Sequence, residues 1–279
     1  MNPYPFDHQR QYKGPVQAVI FDWAGTTVDF GCMAPAIVFQ KIFEEAGVPI
    51  TIEEAREPMG THKRVHISEI LSMPRIQTSW TEVHGNPPDQ TTIDNLYNSF
   101  LPLQLECLAK HSQLIPGTLE MVERLRNAGC KIGSTTGYSR EIMEALEVSA
   151  AKLGFKPDVS VCASDVTEGR PSPFMLFKCL TDLGIYPVES CIKVDDTVSG
   201  IEEGLNAGCW TVAVTISGND VGMPYDQWQQ VETQTKEMLK MKSYKKQSLA
   251  GAHFVIDSIN DLMPCVQEIN RRLSMGIKP

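Results

Sequence analysis

The feature that most constrains this chain is a short apolar run ending in an acid: Val16 to Asp22, VQAVIFD, with Gly25-Thr26 close behind. It is too short for a helix and reads as a buried strand carrying Asp22 at its C-terminal end. The pattern recurs. Cys130 to Ser134, Asp158 to Ala163, Ser190 to Val194, Trp210 to Val214 and His253 to Ile256 also read as strands. Gly117 to Ala128, Ser139 to Leu153, Pro173 to Leu183 and Val198 to Ala207 read as helices between them. Strand and helix alternating at this spacing predict an α/β chain, a parallel sheet with helices on both faces. Ligands in such a sheet sit beyond the carboxyl ends of the strands.

One segment breaks the rhythm. From about Cys32 to Leu114 the pattern is helical and poor in strands. Ala34 to Ala46 carries Ile37, Val38, Phe39, Ile42 and Phe43, with Gly47 as a stop. Thr51 and Glu54 have capping-box spacing for the next helix. Pro58 and Gly60 interrupt it, helical pattern resumes from Thr61 to Met73, and Asn86-Pro87-Pro88 marks a loop before further helices to Lys110. The expected organisation is a core of residues 1–31 and 115–279 with an inserted helical cap of residues 32–114. At 279 residues the chain has room for both.

Composition excludes some partners. A net charge of -9 argues against nonspecific nucleic-acid binding. No apolar stretch is long enough for a bilayer, and MNPYPFDHQRQYKGP has no apolar leader core. The eight cysteines are scattered with no CxxC pair, so free thiols in a reducing cytoplasm are expected. Five lysines between Lys236 and Lys246 read as a solvated helix face.

Four places carry polar residues suited to phosphate chemistry. After the first strand, DWAGT offers Asp22 as a nucleophile and backbone N–H groups for phosphate oxygens. After the second, Ser134-Thr135-Thr136-Gly137 offers a hydroxyl and further N–H groups. Gly169-Arg170-Pro171-Ser172-Pro173 offers a fixed cation. Asp195-Asp196-Thr197 ends the fourth strand with adjacent acids suited to a hard cation such as Mg²⁺. Taken singly, each has a plain alternative: a structural turn, a Ser/Thr turn, a surface arginine, a helix cap.

Together, in this order, they resemble the haloacid dehalogenase superfamily over nearly the whole chain. The resemblance implies a Rossmann-like core of the haloacid dehalogenase type. It makes Asp22 the nucleophile, sets Thr136 on the phosphoryl group, and makes Arg170 the stabilising cation. Mg²⁺ would lie on Asp22, Asp196 and the Ala24 carbonyl, with Asp195 helping through a water. Most phosphatases of the superfamily carry an acid where this chain has Ala24, to protonate a departing alcohol oxygen. Many also carry an acid near the position of Gly200.

The helical segment suggests why the first acid is missing. Met59-Gly60-Thr61-His62-Lys63-Arg64-Val65-His66 puts Met59, Lys63 and His66 on one face if a helix runs through Gly60. Read alone, Lys63 is a solvent-facing lysine. Together with DWAGT, Cys32, TTGYSR and GRPSP, the segment resembles the phosphonatase branch of the superfamily, which cleaves carbon–phosphorus bonds. That resemblance implies hydrolysis of phosphonoacetaldehyde to acetaldehyde and phosphate, with a Schiff base on Lys63 and an aspartyl phosphate on Asp22. His66 would exchange protons with the lysine, and Cys32, Met59, Gly137 and Tyr138 would line the substrate site. A homodimer is implied as well. An ordinary lysine is only about 0.04% neutral at pH 7, so burial or a nearby cation must lower its pKa. A phosphate-ester phosphatase or phosphomutase on the same core, and a non-catalytic binding protein, are the competing readings; Ala24 weighs against the first.

Overall fold

A computed structural model describes residues 11–279; the expectations for residues 1–10, as core and as lacking a leader, lie outside the described residues. Strand β1 (Ala18–Phe21) is buried along its whole length. Successive side chains point to opposite faces. Val19 and Phe21 enter one core, while Ala18 and Ile20 enter a second with Met175, Leu176 and Cys179. A strand buried on both faces must be apolar throughout, which is the pattern AVIF displays.

The other strands are β2 (Lys131–Thr136), β3 (Val159–Cys162), β4 (Cys191–Asp195), β5 (Trp210–Val214) and β6 (Phe254–Ile256). They form one parallel sheet in the order β3-β2-β1-β4-β5-β6. The order reverses beside β1. Phe21 pairs with Val194 and with Ser134, so the ends of β1, β2 and β4 lie side by side.

Five of the six helices between β1 and β2 form the insertion: α1 (Met33–Glu45), α2 (Ile52–Arg56), α3 (Lys63–Ser72), α4 (Pro74–His84) and α5 (Gln90–His111). They pack on one another, with α1 and α3 both against α5. Phe39 of α1 is buried against Phe100 of α5 at 4.7 Å between ring centroids. A fully buried Phe contributes about 1.5–3 kcal/mol. The capping box at α2 is present, Glu54 N–H donating to Thr51 Oγ1 and Thr51 N–H to Glu54 Oε2.

The sheet is covered by α6 (Thr118–Asn127), α7 (Arg140–Lys152), α8 (Phe174–Leu183), α9 (Val198–Ala207), α10 (Tyr225–Gln230), α11 (Thr233–Leu249) and α12 (Leu262–Ser274). Helices α4, α10 and α12 have no counterpart in the sequence reading. Helix α11 holds the lysine run, and two of its lysines are tied down: Lys240 to Asp257 at 2.6 Å and Lys246 to Asp220 at 2.7 Å. All eight cysteines are free thiols. Among the described residues, no helix is long and apolar enough to cross a membrane.

Candidate active site

Asp22 leaves β1 at the point where the strand order reverses. Its N–H donates to Val194 O at 2.9 Å, which seats it beside the end of β4. Asp195 and Asp196 stand there, and carboxylate oxygens of all three acids lie within 4.8 Å of one another. Three buried like charges repel. Burial, then Asp195, pushes Asp22 up to about 6, with Arg170 opposing. Burial, then Asp22 and Asp195, holds Asp196 well above the carboxylate range. Such crowding of oxygen ligands fits a hard divalent cation. Asp196 is already oriented, its Oδ1 accepting from Thr26 Oγ1 at 2.9 Å and its Oδ2 from Asn219 N–H at 2.8 Å.

Positive charge faces these acids from the core. Arg170 Nη2 lies 2.8 Å from Asp22 Oδ1 and 3.3 Å from Asp195 Oδ2, and its Nε donates to Glu203 at 3.0 Å. Burial alone would lower the guanidinium, but Asp195, Asp22 and Glu203 outweigh it and raise it. Lys193 stands between Asp195 at 3.0 Å and Glu203 at 3.1 Å. Arg170 and Lys193 in turn hold Asp195 below the usual range despite its burial.

Lys193 and Glu203 were absent from the sequence reading. Lys193 precedes Asp195 by two residues in an otherwise apolar strand, so both share one face. Glu203 stands between Gly200 and Gly204 on the buried side of α9. An ionic residue among small ones on a buried face was the available signal.

Gly200 also acquires a reason. A Cβ there would stand 2.0 Å from the Asp195 carboxylate carbon. The space a side chain at 200 would need is taken by Asp195, so the acid at 195 and the glycine at 200 fit as a pair.

The opposite wall comes from the helical insertion. Helix α2 ends at Arg56 and α3 begins at Lys63; Gly60 between them has φ +96°. The interruption expected at Pro58 and Gly60 is a turn, so the condition of a helix running on through Gly60 is not met. A left-handed backbone suits glycine, and a Cβ would also strike Thr197 and Ser199 of the core at 2.4 and 2.3 Å. Met59 still meets Lys63, Sδ to Nζ 4.0 Å, through the turn instead of along a helix.

Lys63 is 4% exposed, at the first position of α3. Its Nζ lies 5.1 Å from the Tyr138 ring centroid and 5.8 Å from that of Phe39. Burial lowers its pKa to about 8, with Asp22 opposing. Roughly a tenth is then neutral at pH 7. His66 lies one turn on, stacked on Phe39 at 3.9 Å, with Nε2 2.9 Å from Ala55 O. Its Nδ1 has no hydrogen-bond partner. Burial, then Lys63, holds it well below the usual imidazole range. Cys32 and Tyr138 are both pushed well up by burial, so neither is a ready anion.

Asp22, Ala24, Cys32, Lys63, Thr136, Gly137, Tyr138 and Arg170 all line one cavity of about 20 Å³, room for about one water. Met59, His66, Asp195 and Asp196 are not part of that lining. The cavity thus has a carboxylate and a guanidinium on one side and a weakly basic amine on the other.

A family model for haloacid dehalogenase-like hydrolases matches residues 16–208. With the parallel sheet and the acids at its strand ends, this makes the chain a member of the haloacid dehalogenase-like hydrolases. A phosphonoacetaldehyde hydrolase from Hahella chejuensis is 46% identical over 274 residues, 98% of this chain and 93% of that protein. Another from Nitratidesulfovibrio vulgaris is 43% identical, covering 99% of this chain and 98% of that one. The crystal structure of a phosphonoacetaldehyde hydrolase-like protein from Oleispira antarctica matches with a TM-score of 0.96 at 42% identity, over 99% of this chain and 100% of that one. Within its class, the chain belongs to the phosphonoacetaldehyde hydrolase family.

Proposed function

We propose that this chain hydrolyses phosphonoacetaldehyde to acetaldehyde and phosphate, with Lys63 acting on carbon and Asp22 on phosphorus. The observation that carries this reading is a buried lysine with a lowered pKa lining the same cavity as a buried aspartate. The names of the relatives support the substrate.

Direct cleavage of a carbon–phosphorus bond would expel a carbanion. Neutral Lys63 Nζ adds to the aldehyde carbon; one proton is taken up from solvent, and water leaves to give a protonated imine. Asp22 then attacks phosphorus. The electrons of the breaking bond pass into the imine, and an enamine departs. No alcohol oxygen leaves, so an acid in place of Ala24 has no proton to supply. The enamine is protonated at carbon, and water releases acetaldehyde and Lys63. A second water hydrolyses the aspartyl phosphate. His66, with an unpartnered Nδ1, is the base that moves protons at the lysine adduct. Thr136 and the Gly137 backbone hold phosphoryl oxygens, Arg170 offsets their charge, and Cys32, Met59 and Tyr138 enclose the aldehyde end.

Mg²⁺ would lie on Asp22, Asp196 and the Ala24 carbonyl, with Asp195 helping through a water, and would supply charge against the acids and the phosphoryl oxygens. Residues 32–114 form the cap over a core of 1–31 and 115–279. The cavity holds about one water, so a phosphonate enters only as cap and core part. The working form is a cytoplasmic homodimer whose partner is the small phosphonate, with no nucleic acid and no membrane.

The test is incubation with phosphonoacetaldehyde and Mg²⁺. Acetaldehyde and phosphate should appear in equal amounts, and neither should form without Lys63. Phosphate release from sugar phosphates by a Lys63→Arg variant would sink this reading.

A further inference from the structure

Arg56, the last residue of α2, is buried and has no part in the chemistry above. Among the described residues it has no carboxylate ion pair; its donors go mainly to backbone oxygens of separate segments. Nη1 donates to Gly31 O at 2.8 Å, where the chain leaves the core, and to Asn219 O at 3.3 Å and Oδ1 at 3.1 Å. Nη2 donates to Gly222 O at 3.1 Å. A planar fork that gathers acceptors from several segments ties them together in the closed arrangement.

Asn219 returns the contact, its Nδ2 donating to Arg56 O at 3.0 Å. The same carbonyl accepts Met59 N–H at 3.2 Å, which starts the turn leading to Lys63. The backbone N–H of Asn219 donates to Asp196 Oδ2 at 2.8 Å. One asparagine therefore lies between the helical insertion and an acid of the cluster.

We propose that Arg56, acting through Asn219, is a positioning residue that fixes the insertion on the core and Asp196 in the acid cluster together. Through it the amine on the cap and the acids on the core come into register as one unit. Events on one side then favour the other, and such coupling is reciprocal. The amine half rests on the reading of Lys63 as the imine-forming group; the Asp196 half does not.

The test uses the full chain as wild type, Arg56→Lys and Asn219→Ala. Mg²⁺ alone is titrated by calorimetry, and adduct formation on Lys63 is timed by borohydride trapping with phosphonoacetaldehyde and no metal. Both variants should bind Mg²⁺ about tenfold more weakly and trap about tenfold more slowly, with melting temperatures near wild type. Wild-type Mg²⁺ affinity in Arg56→Lys overturns the proposal, whatever happens to trapping. An effect in Arg56→Lys that is missing from Asn219→Ala overturns the route through Asn219, which keeps the test open if the arginine variant fails to fold. If the wild type does not trap at all, the Lys63 reading fails, and the Mg²⁺ arm decides the proposal alone.

Discussion

Lys63 and Lys193 are both buried lysines, and they are set to opposite uses. Lys193 lies between two carboxylates, Asp195 at 3.0 Å and Glu203 at 3.1 Å. Lys63 has Met59 sulfur at 4.0 Å and the rings of Tyr138 and Phe39 beyond 5 Å. One environment sets the amine between two carboxylates; the other lowers the pKa to about 8 and frees a lone pair. The lesson is that burial alone does not make a lysine a nucleophile. Burial with no carboxylate in ion-pair contact leaves a neutral fraction, and the insertion supplies such a wall while the core does not.

The largest effects should come from removing either half of the chemistry. Asp22→Asn and Lys63→Arg should each lower phosphonoacetaldehyde turnover by about 10⁴-fold or more, measured as phosphate release. The comparison is sharper in stability. Lys193→Met leaves Asp195 and Glu203 short of a cation and should cost about 3 kcal/mol in urea unfolding. Lys63→Met should cost nothing, or stabilise, at neutral pH. A loss in both would break the distinction.

Gly200→Ala comes next. Its methyl group must displace the Asp195 carboxylate, at a cost of about 1–3 kcal/mol in urea unfolding. The smallest effect is a pH shift. Lys63 has a folded pKa of about 8 against the ordinary 10.5, so the unfolded chain holds more protons between those values. Stability should rise with pH across that window, and the rise should shrink in Lys63→Met. Borohydride trapping should likewise speed up as pH climbs through about 8.

Much of this was legible in the sequence because strand ends are local features. VQAVIFD, the Ser134-Gly137 turn and Asp195-Asp196 each announce a strand and its terminal polar group. Helices α4 and α12 were not legible. Pro74 opens one and Pro264 falls in the first turn of the other, where a missing N–H costs little, yet a proline reads as a stop. The pairing of Lys193 with Glu203 was hidden for a different reason: it joins β4 to α9 across a turn, and only packing brings them together. The turn at Gly60 altered the route by which Met59 meets Lys63, and the contact itself survived it.

The division of labour between Lys63 and Asp22 has one direct test. Asp22→Asn is treated with phosphonoacetaldehyde and borohydride, and the peptide containing Lys63 is weighed by mass spectrometry. The expected product is a phosphonoethyl group on Lys63, an imine formed and reduced with its carbon–phosphorus bond intact. An unmodified Lys63 would contradict the role of the amine, and an ethyl group would show the bond breaking without Asp22.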